Sequence, residues 1–300
     1  AVQIAFDGVI ALANRYARHC EGLAKNRNTP RERARELSNI AAILNKVPAE
    51  PAETLHEALQ SIWIVQVALH QENSNMALSF GRLDQLLHPF LENDLAAGRL
   101  DLESAMELVG CFFIKMGDHM PIAPAAVHNL IGGASTDQAV TLGGMRPDGS
   151  DGVNEMTYLL LNLSALLALR EPNVCARFHH GAPSEYRRAV VDSLFRNGAA
   201  PALYGDEQII EALTSRGVGL EDARDYGIVG CVEPMSAGRT MGMSGAVIFN
   251  LAAVLELTLH NGIHPLSGLQ VGPRTGCLSD FASFTELYQA FECQLIQLTD

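Results

Sequence analysis

Short runs of branched and apolar residues alternate with helical patterns through the second half of this sequence, and that alternation constrains the fold more than any other feature. "QAVTLGG" (138–144), "NVCARFH" (173–179), "PALYG" (201–205) and "YGIVGCVE" (226–233) read as strands. Residues 153–170, 184–197, 206–215 and 246–261 carry apolar residues at helical spacing. Strands in that order are sheltered by helices, so the expected class is α/β. The 153–170 segment is apolar nearly all round, which predicts a helix covered on both sides.

The first hundred residues are almost wholly helical in pattern: 6–25, then a helix to about Val47 with Thr29 as its cap, Pro30 at its first position and Glu32 closing a capping box, then 55–71. "SFGRLDQ" (79–85) reads as a turn opening the next helix, and 102–116 as a further helix. An outer helical layer around the strands is the expectation. The chain opens on Ala-Val-Gln and stops at Asp300, each inside a helical pattern, so it is expected to be an internal piece of a longer protein. No linker divides it, which predicts a single domain over 1–300.

A net charge of -13 disfavours a nucleic-acid or anionic-membrane surface, because phosphates would be repelled. The densest basic stretch, "RERAR" (31–35), carries a glutamate and reads as a solvated helix face. No apolar run is long enough to span a bilayer. Six cysteines without a CxxC pair suit a reducing cytoplasm, with Cys20, Cys111 and Cys293 expected as small buried hydrophobes. Adjacent His179 and His180 would point to opposite faces of a strand, so no metal site is expected.

The candidate strand ends "TLGG", "ARFHHG", "ALYGDE" and "GCVEP" are where α/β proteins place functional groups, and "GCVEP" joins a thiol to a carboxylate. Residues two apart on a strand share a face, so Cys231 and Glu233 are expected to point into one pocket. Pro234 cannot donate to a ladder, so pairing is expected to stop there. A thiolate nucleophile needs a nearby cation or histidine, and a carboxylate works against it. A neutral thiol beside a proton-transferring carboxylate suits hydrogen-atom transfer by a sulfur radical instead.

"GCVEP" followed by "GRT" and "FNLAAVLELTLHNG" (249–262) resembles the glycyl radical enzymes, the pyruvate formate-lyase-like family. "FGRLDQLLHPF" (80–90), "VTLGG" (140–144), "EPNVCARFH" (171–179), "PALYGDEQIIEAL" (201–213) and "GPRTG" (272–276) carry the resemblance along nearly the whole chain, in order. It implies part of a ten-stranded β/α barrel made of two half-barrels. It implies a thiyl radical on Cys231, Glu233 as general base or acid, and a glycyl radical on a C-terminal loop outside this sequence. It also implies a radical-SAM activating enzyme as partner, a small-molecule substrate and a homodimer.

Family patterns also separate the branches. Acyl transfer in formate acetyltransferase uses two adjacent cysteines, whereas Gly230 precedes Cys231 here. Glu233 resembles the Cys-x-Glu of dehydratases and lyases that break C–O, C–N or C–S bonds. Met76, Ala77 and Gly245 stand where diol-dehydrating members carry polar residues. Ser79 and Asp84 in "SFGRLD" resemble substrate-binding residues of hydroxyproline dehydratases; helix capping is the plainer role for Asp84. Arg82 is expected to pair with a carboxylate. Ser244 is a polar candidate for substrate contact or for capping. The expected activity is radical elimination on a small organic substrate. An arylacetate-type decarboxylase, a formate C-acetyltransferase, a thiolate hydrolase and a non-catalytic truncated chain remain as alternatives.

Overall fold

The computed structural model describes residues 2–72, 77–118, 125, 136–198, 200–240 and 250–299. The backbone contacts divide the chain into two compact units, Ala1–Gly242 and Met243–Asp300. The first unit begins with the expected helical layer: α1 (Val2–Ala24), α2 (Arg31–Lys46), α3 (Leu55–Glu72), α4 (Leu83–Ala96) and α5 (Leu102–Asp118). Small residues let α1 and α2 approach closely, and Ala13, Ala17 and Ala41 are buried together with Leu44 and Ile64 of α3.

Strands β1 (Ala139–Gly143), β2 (Asn173–Phe178) and β3 (Ala202–Gly205) then form a parallel sheet in that order. Ala139 pairs with Asn173, and Cys175 with Ala202. The connections are α6 (Glu155–Leu167) and α7 (Ser184–Asn197), so each parallel step crosses over by a helix. On the free edge of β1, the 77–81 segment runs alongside as a short extension. Phe80 N–H donates to Ala139 O at 2.9 Å, and Thr141 N–H to Gly81 O at 2.8 Å.

The sheet is covered on both faces, and strand alternation decides what meets each. Val140, Leu142, Val174 and Ala176 join the main core with α3 to α7. Ala139 and Cys175 turn the other way, into a second core with Tyr226 and Ile228 of β4 (Tyr226–Val229). Ile210 and Leu213 of α8 (Asp206–Ser215) and Ala223 of α9 (Leu220–Arg224) complete it. Burial raises the Cys175 thiol to about 12. The mixed order of strands and helices is the expected α/β class.

A buried ion pair pins β4 to this second face. Arg177 Nε and Nη2 donate to the two Asp206 carboxylate oxygens at 2.9 and 3.0 Å, with both side chains fully buried. Arg177 also donates to the Tyr226 and Arg224 carbonyls, and the Tyr226 hydroxyl donates to Asp206 at 2.8 Å. Spanning β2, α8 and β4, the network fixes where the next turn emerges.

The structure changes two local expectations. Thr29 does not cap α2; its hydroxyl donates to Leu23 O at the end of α1, and Pro30 occupies the N-cap position. Cys293 is exposed and Cys20 half-buried, and Cys111 is exposed because the core face of α5 runs through Ala105, Val109, Phe112, Phe113 and Met116. No helix among the described residues is long and apolar enough to cross a membrane.

In the second unit, α10 (Leu251–Leu259) is capped by Asn250, whose side chain accepts from Ala253 N–H at 3.1 Å. Gln294 of α11 (Phe284–Thr299) is fully buried and its amide donates to Pro273 O and Thr275 Oγ1, holding the "GPRTG" stretch.

Candidate active site

Cys231 sits at the tip of a hairpin. β4 pairs antiparallel with β5 (Glu233–Ser236), Val229 opposite Glu233 and Ile228 opposite Pro234, leaving residues 230–232 as the turn. Pairing therefore continues through Pro234 rather than stopping at it. Among the described residues β5 pairs with β4 alone, so a missing N–H on its other side leaves no partner unmet. Gly230 enters the turn at φ 62°, and a Cβ there would stand 3.0 Å from Ala77 Cβ and 3.3 Å from Glu233 Oε2. A side chain at this position meets both a disfavoured backbone conformation and a filled space.

The tip is held by polar side chains from each neighbouring segment. Ser79, beside β1, accepts from Gly230 N–H at 2.9 Å and from Ala139 N–H at 3.0 Å, and donates to Ala77 O. Asn173, the first residue of β2, donates to Gly230 O at 2.9 Å and Cys231 O at 3.1 Å. Tyr204 of β3 donates to Cys231 O at 3.3 Å. The hairpin thus closes over the N-terminal ends of β1 and β2, with Tyr204 reaching it from within β3.

The exposed Cys231 thiol donates to Asp137 Oδ2 at 3.2 Å. Partial withdrawal of the sulfur from water, the bond and charge of Asp137 and the charge of Glu233 push this thiol up to about 11. It is therefore a neutral S–H at physiological pH. Glu233 folds back over the turn and accepts from Val232 N–H at 2.9 Å. Among the described residues no histidine, lysine or arginine bonds Cys231 or Glu233, so no cation there favours a thiolate.

Asp137 itself has a left-handed backbone, φ 47°. The buried Glu171 carboxylate holds it by accepting from the N–H groups of Thr136 and Asp137, each at 3.0 Å, and of Gln138 at 3.3 Å. Asp137, Glu171, Asn173 and Tyr204 were not singled out as site residues in the sequence. The last three lie inside "EPNVCARFH" and "PALYGDEQIIEAL", so the segments were marked while the individual residues were not.

Of the expected site residues, Cys231 and Glu233 share one turn, and Ser79 touches it through Gly230 N–H. Asp84 lies elsewhere: it is fully buried, and it accepts from Gly143 N–H, the Thr157 hydroxyl and Gln85 N–H. Burial raises its carboxyl above the usual range. Gly143 follows Asp137 by six residues, roughly 20 Å along an extended strand. Arg82 pairs with Asp225 at 2.7 Å, as expected. The glycines of "LGG" face Tyr186 and Arg177, which fill the space a ligand would need. Ser244, Met76 and Gly245 lie outside the described residues. His179 bonds Asp151 and His180 bonds Glu207. No group of three metal-ligating side chains occurs among the described residues.

The pyruvate formate lyase-like family description matches residues 1–300. The chain is 35% identical over its whole length to trans-4-hydroxy-L-proline dehydratase of Clostridioides difficile, of which it covers 38%. It is 34% identical over 98% of its length to the isethionate sulfite-lyase of Nitratidesulfovibrio vulgaris, covering 36% of that protein. A glycyl radical enzyme from Archaeoglobus fulgidus superposes with a TM-score of 0.86 and 35% identity, over 97% of this chain and 37% of that one. The chain spans little more than a third of the length of these relatives. A match along all of its residues, together with the fold, places this chain in the pyruvate formate lyase-like family.

Proposed function

We propose that this chain carries the reactive thiol of a glycyl radical lyase or dehydratase acting on a small organic molecule. The supporting observation is the Cys231 thiol itself: a neutral S–H at a tethered hairpin tip, with Glu233 on the same turn. The residues fit a radical hydrogen relay, since an S–H bond can give and regain a hydrogen atom with no change of charge. In this family the glycyl radical supplies the unpaired electron by taking that hydrogen. Cys231 would then take a hydrogen atom from substrate, Glu233 would move the proton that accompanies loss of the leaving group, and Cys231 would return its hydrogen. The relatives described above are named for release of water and of sulfite, which supports elimination as the reaction class.

The same reading takes residues 1–300 as part of one barrel domain of a longer homodimeric enzyme, activated by a radical-SAM partner. Ser79 serves the substrate indirectly, by holding the turn. Asp84 holds the far end of β1, and Ser244 remains a candidate for substrate contact.

The test is anaerobic activation of the full-length protein, followed by a panel of substrates that can lose hydroxyl, amine, sulfite or carboxylate. Elimination of one of the first three is expected, and Glu233→Gln should abolish it while leaving the glycyl radical signal intact. Exclusive carboxylate loss, or turnover that survives Glu233→Gln, would overturn the assignment.

A further inference from the structure

The Cys231 thiol has a partner 94 residues away that the Cys-x-Glu pattern does not contain. We propose that Asp137 is a positioning residue for the radical chemistry, fixing the direction of the Cys231 S–H bond and keeping its hydrogen in place between turnovers. The proposal rests on the radical-lyase reading above and adds a second carboxylate to it.

The two carboxylates differ in what they touch. Glu233 Oε2 is occupied by Val232 N–H, whereas Asp137 Oδ2 receives the thiol hydrogen at 3.2 Å. An S–H group turns freely about its Cβ–Sγ bond unless an acceptor fixes it. The carbonyl of Cys231 is held from two other strands by Asn173 and Tyr204, which leaves the side-chain rotations about Cα–Cβ and Cβ–Sγ as the remaining freedom. Asp137 removes that freedom. Its own backbone is left-handed, an arrangement that aspartate tolerates better than most residues and that needs support. The buried Glu171 carboxylate provides it by binding three successive backbone N–H groups.

The chemistry requires a thiol and not a thiolate. Hydrogen-atom transfer to a carbon-centred radical breaks S–H homolytically: the hydrogen leaves with one electron, one electron stays on sulfur, and a C–H bond forms. A thiolate has no hydrogen to give. Among the described residues, the ionisable groups acting on the sulfur are Asp137 ahead of β1 and Glu233 on β5, while Tyr204 of β3 and Asn173 hold the Cys231 carbonyl and Ser79 the Gly230 N–H. Both carboxylates act to retain the proton, and Asp137 does so through a direct bond.

The test uses the full-length protein with Asp137→Asn and Asp137→Gly, both of which accept a positive φ. Before activation, iodoacetamide labelling of the Cys231 peptide is followed against pH by mass spectrometry. Labelling at about pH 9 should quicken about tenfold in both variants, the result of a one-unit fall in the thiol pKa. After anaerobic activation, product formed per glycyl radical spin should drop at least about tenfold in Asp137→Asn. An unchanged labelling profile in both variants would overturn the proposal, and so would unchanged product per spin alongside a shifted profile. Labelling needs no turnover. A wild-type enzyme that made no elimination product would sink the radical-lyase reading and leave the labelling result standing.

Discussion

The side-chain amide of Asn173, the first residue of β2, donates to the Cys231 carbonyl at 3.1 Å and to the Gly230 carbonyl at 2.9 Å. A thiol on one hairpin is thereby placed by a strand from a different sheet. Asn173→Ala removes both bonds and is expected to destabilise the chain by about 1–3 kcal/mol. Urea unfolding should show a lower midpoint with an unchanged slope. An unaltered midpoint would mean that the turn holds its shape without the strand.

Ser79 satisfies two backbone N–H groups at once, those of Gly230 and Ala139. Ser79→Ala leaves both without their acceptor, at a cost of about 1–3 kcal/mol. In the activated enzyme kcat should fall more than KM rises, because the loss acts on the position of the thiol. A change confined to KM would point to direct substrate contact by the hydroxyl.

Gly230 combines φ 62° with a filled space beside Ala77. Gly230→Ala should destabilise the chain by about 1–2 kcal/mol, since a left-handed conformation and a tight contact must both be accommodated. Thermal unfolding would report this directly. The same constraint weighs against a second cysteine here, which acyl transfer in the family uses.

The α/β order was legible because Val140, Leu142, Val174 and Ala176 are apolar on one face while Ala139 and Cys175 serve the other, giving continuous strand-like runs. Cys231 and Glu233 were legible because they are neighbours in sequence. The hairpin was not, since Pro234 argues against a strand unless the edge is known to be open. Asp137 reaches the Cys231 thiol, and Asn173 and Tyr204 its carbonyl, from 94, 58 and 27 residues away, and no periodicity marks such a meeting. Glu171 was hidden for another reason: its work is on backbone N–H groups, which carry no sequence signature.

The buried Arg177–Asp206 pair carries β4 and hence the turn. Asp206→Asn leaves a guanidinium without its counter-charge in a fully buried site and should destabilise by about 3–5 kcal/mol. Reduced soluble yield and a lower melting temperature are the expected readouts. Wild-type stability in this variant would show that the pair is dispensable.

Two thiols set a direction for alkaline stability. Cys231 is pushed up to about 11 and Cys175 to about 12, both above the 9.0 of a free thiol. As pH rises, the unfolded chain releases these protons before the folded one. Their contribution is complete below about pH 9 and is lost as pH climbs through about 11 and 12. Urea midpoints taken at stepped pH should fall over that window; a flat or rising profile would contradict the assigned thiol environments.

The radical relay proposed for Cys231 is tested by product formation in activated full-length Cys231→Ser, normalised to glycyl radical spin from electron paramagnetic resonance. An O–H bond is too strong to replace S–H in the relay. A radical signal comparable to wild type and no product are expected. Product formed at a rate near that of wild type would contradict the relay.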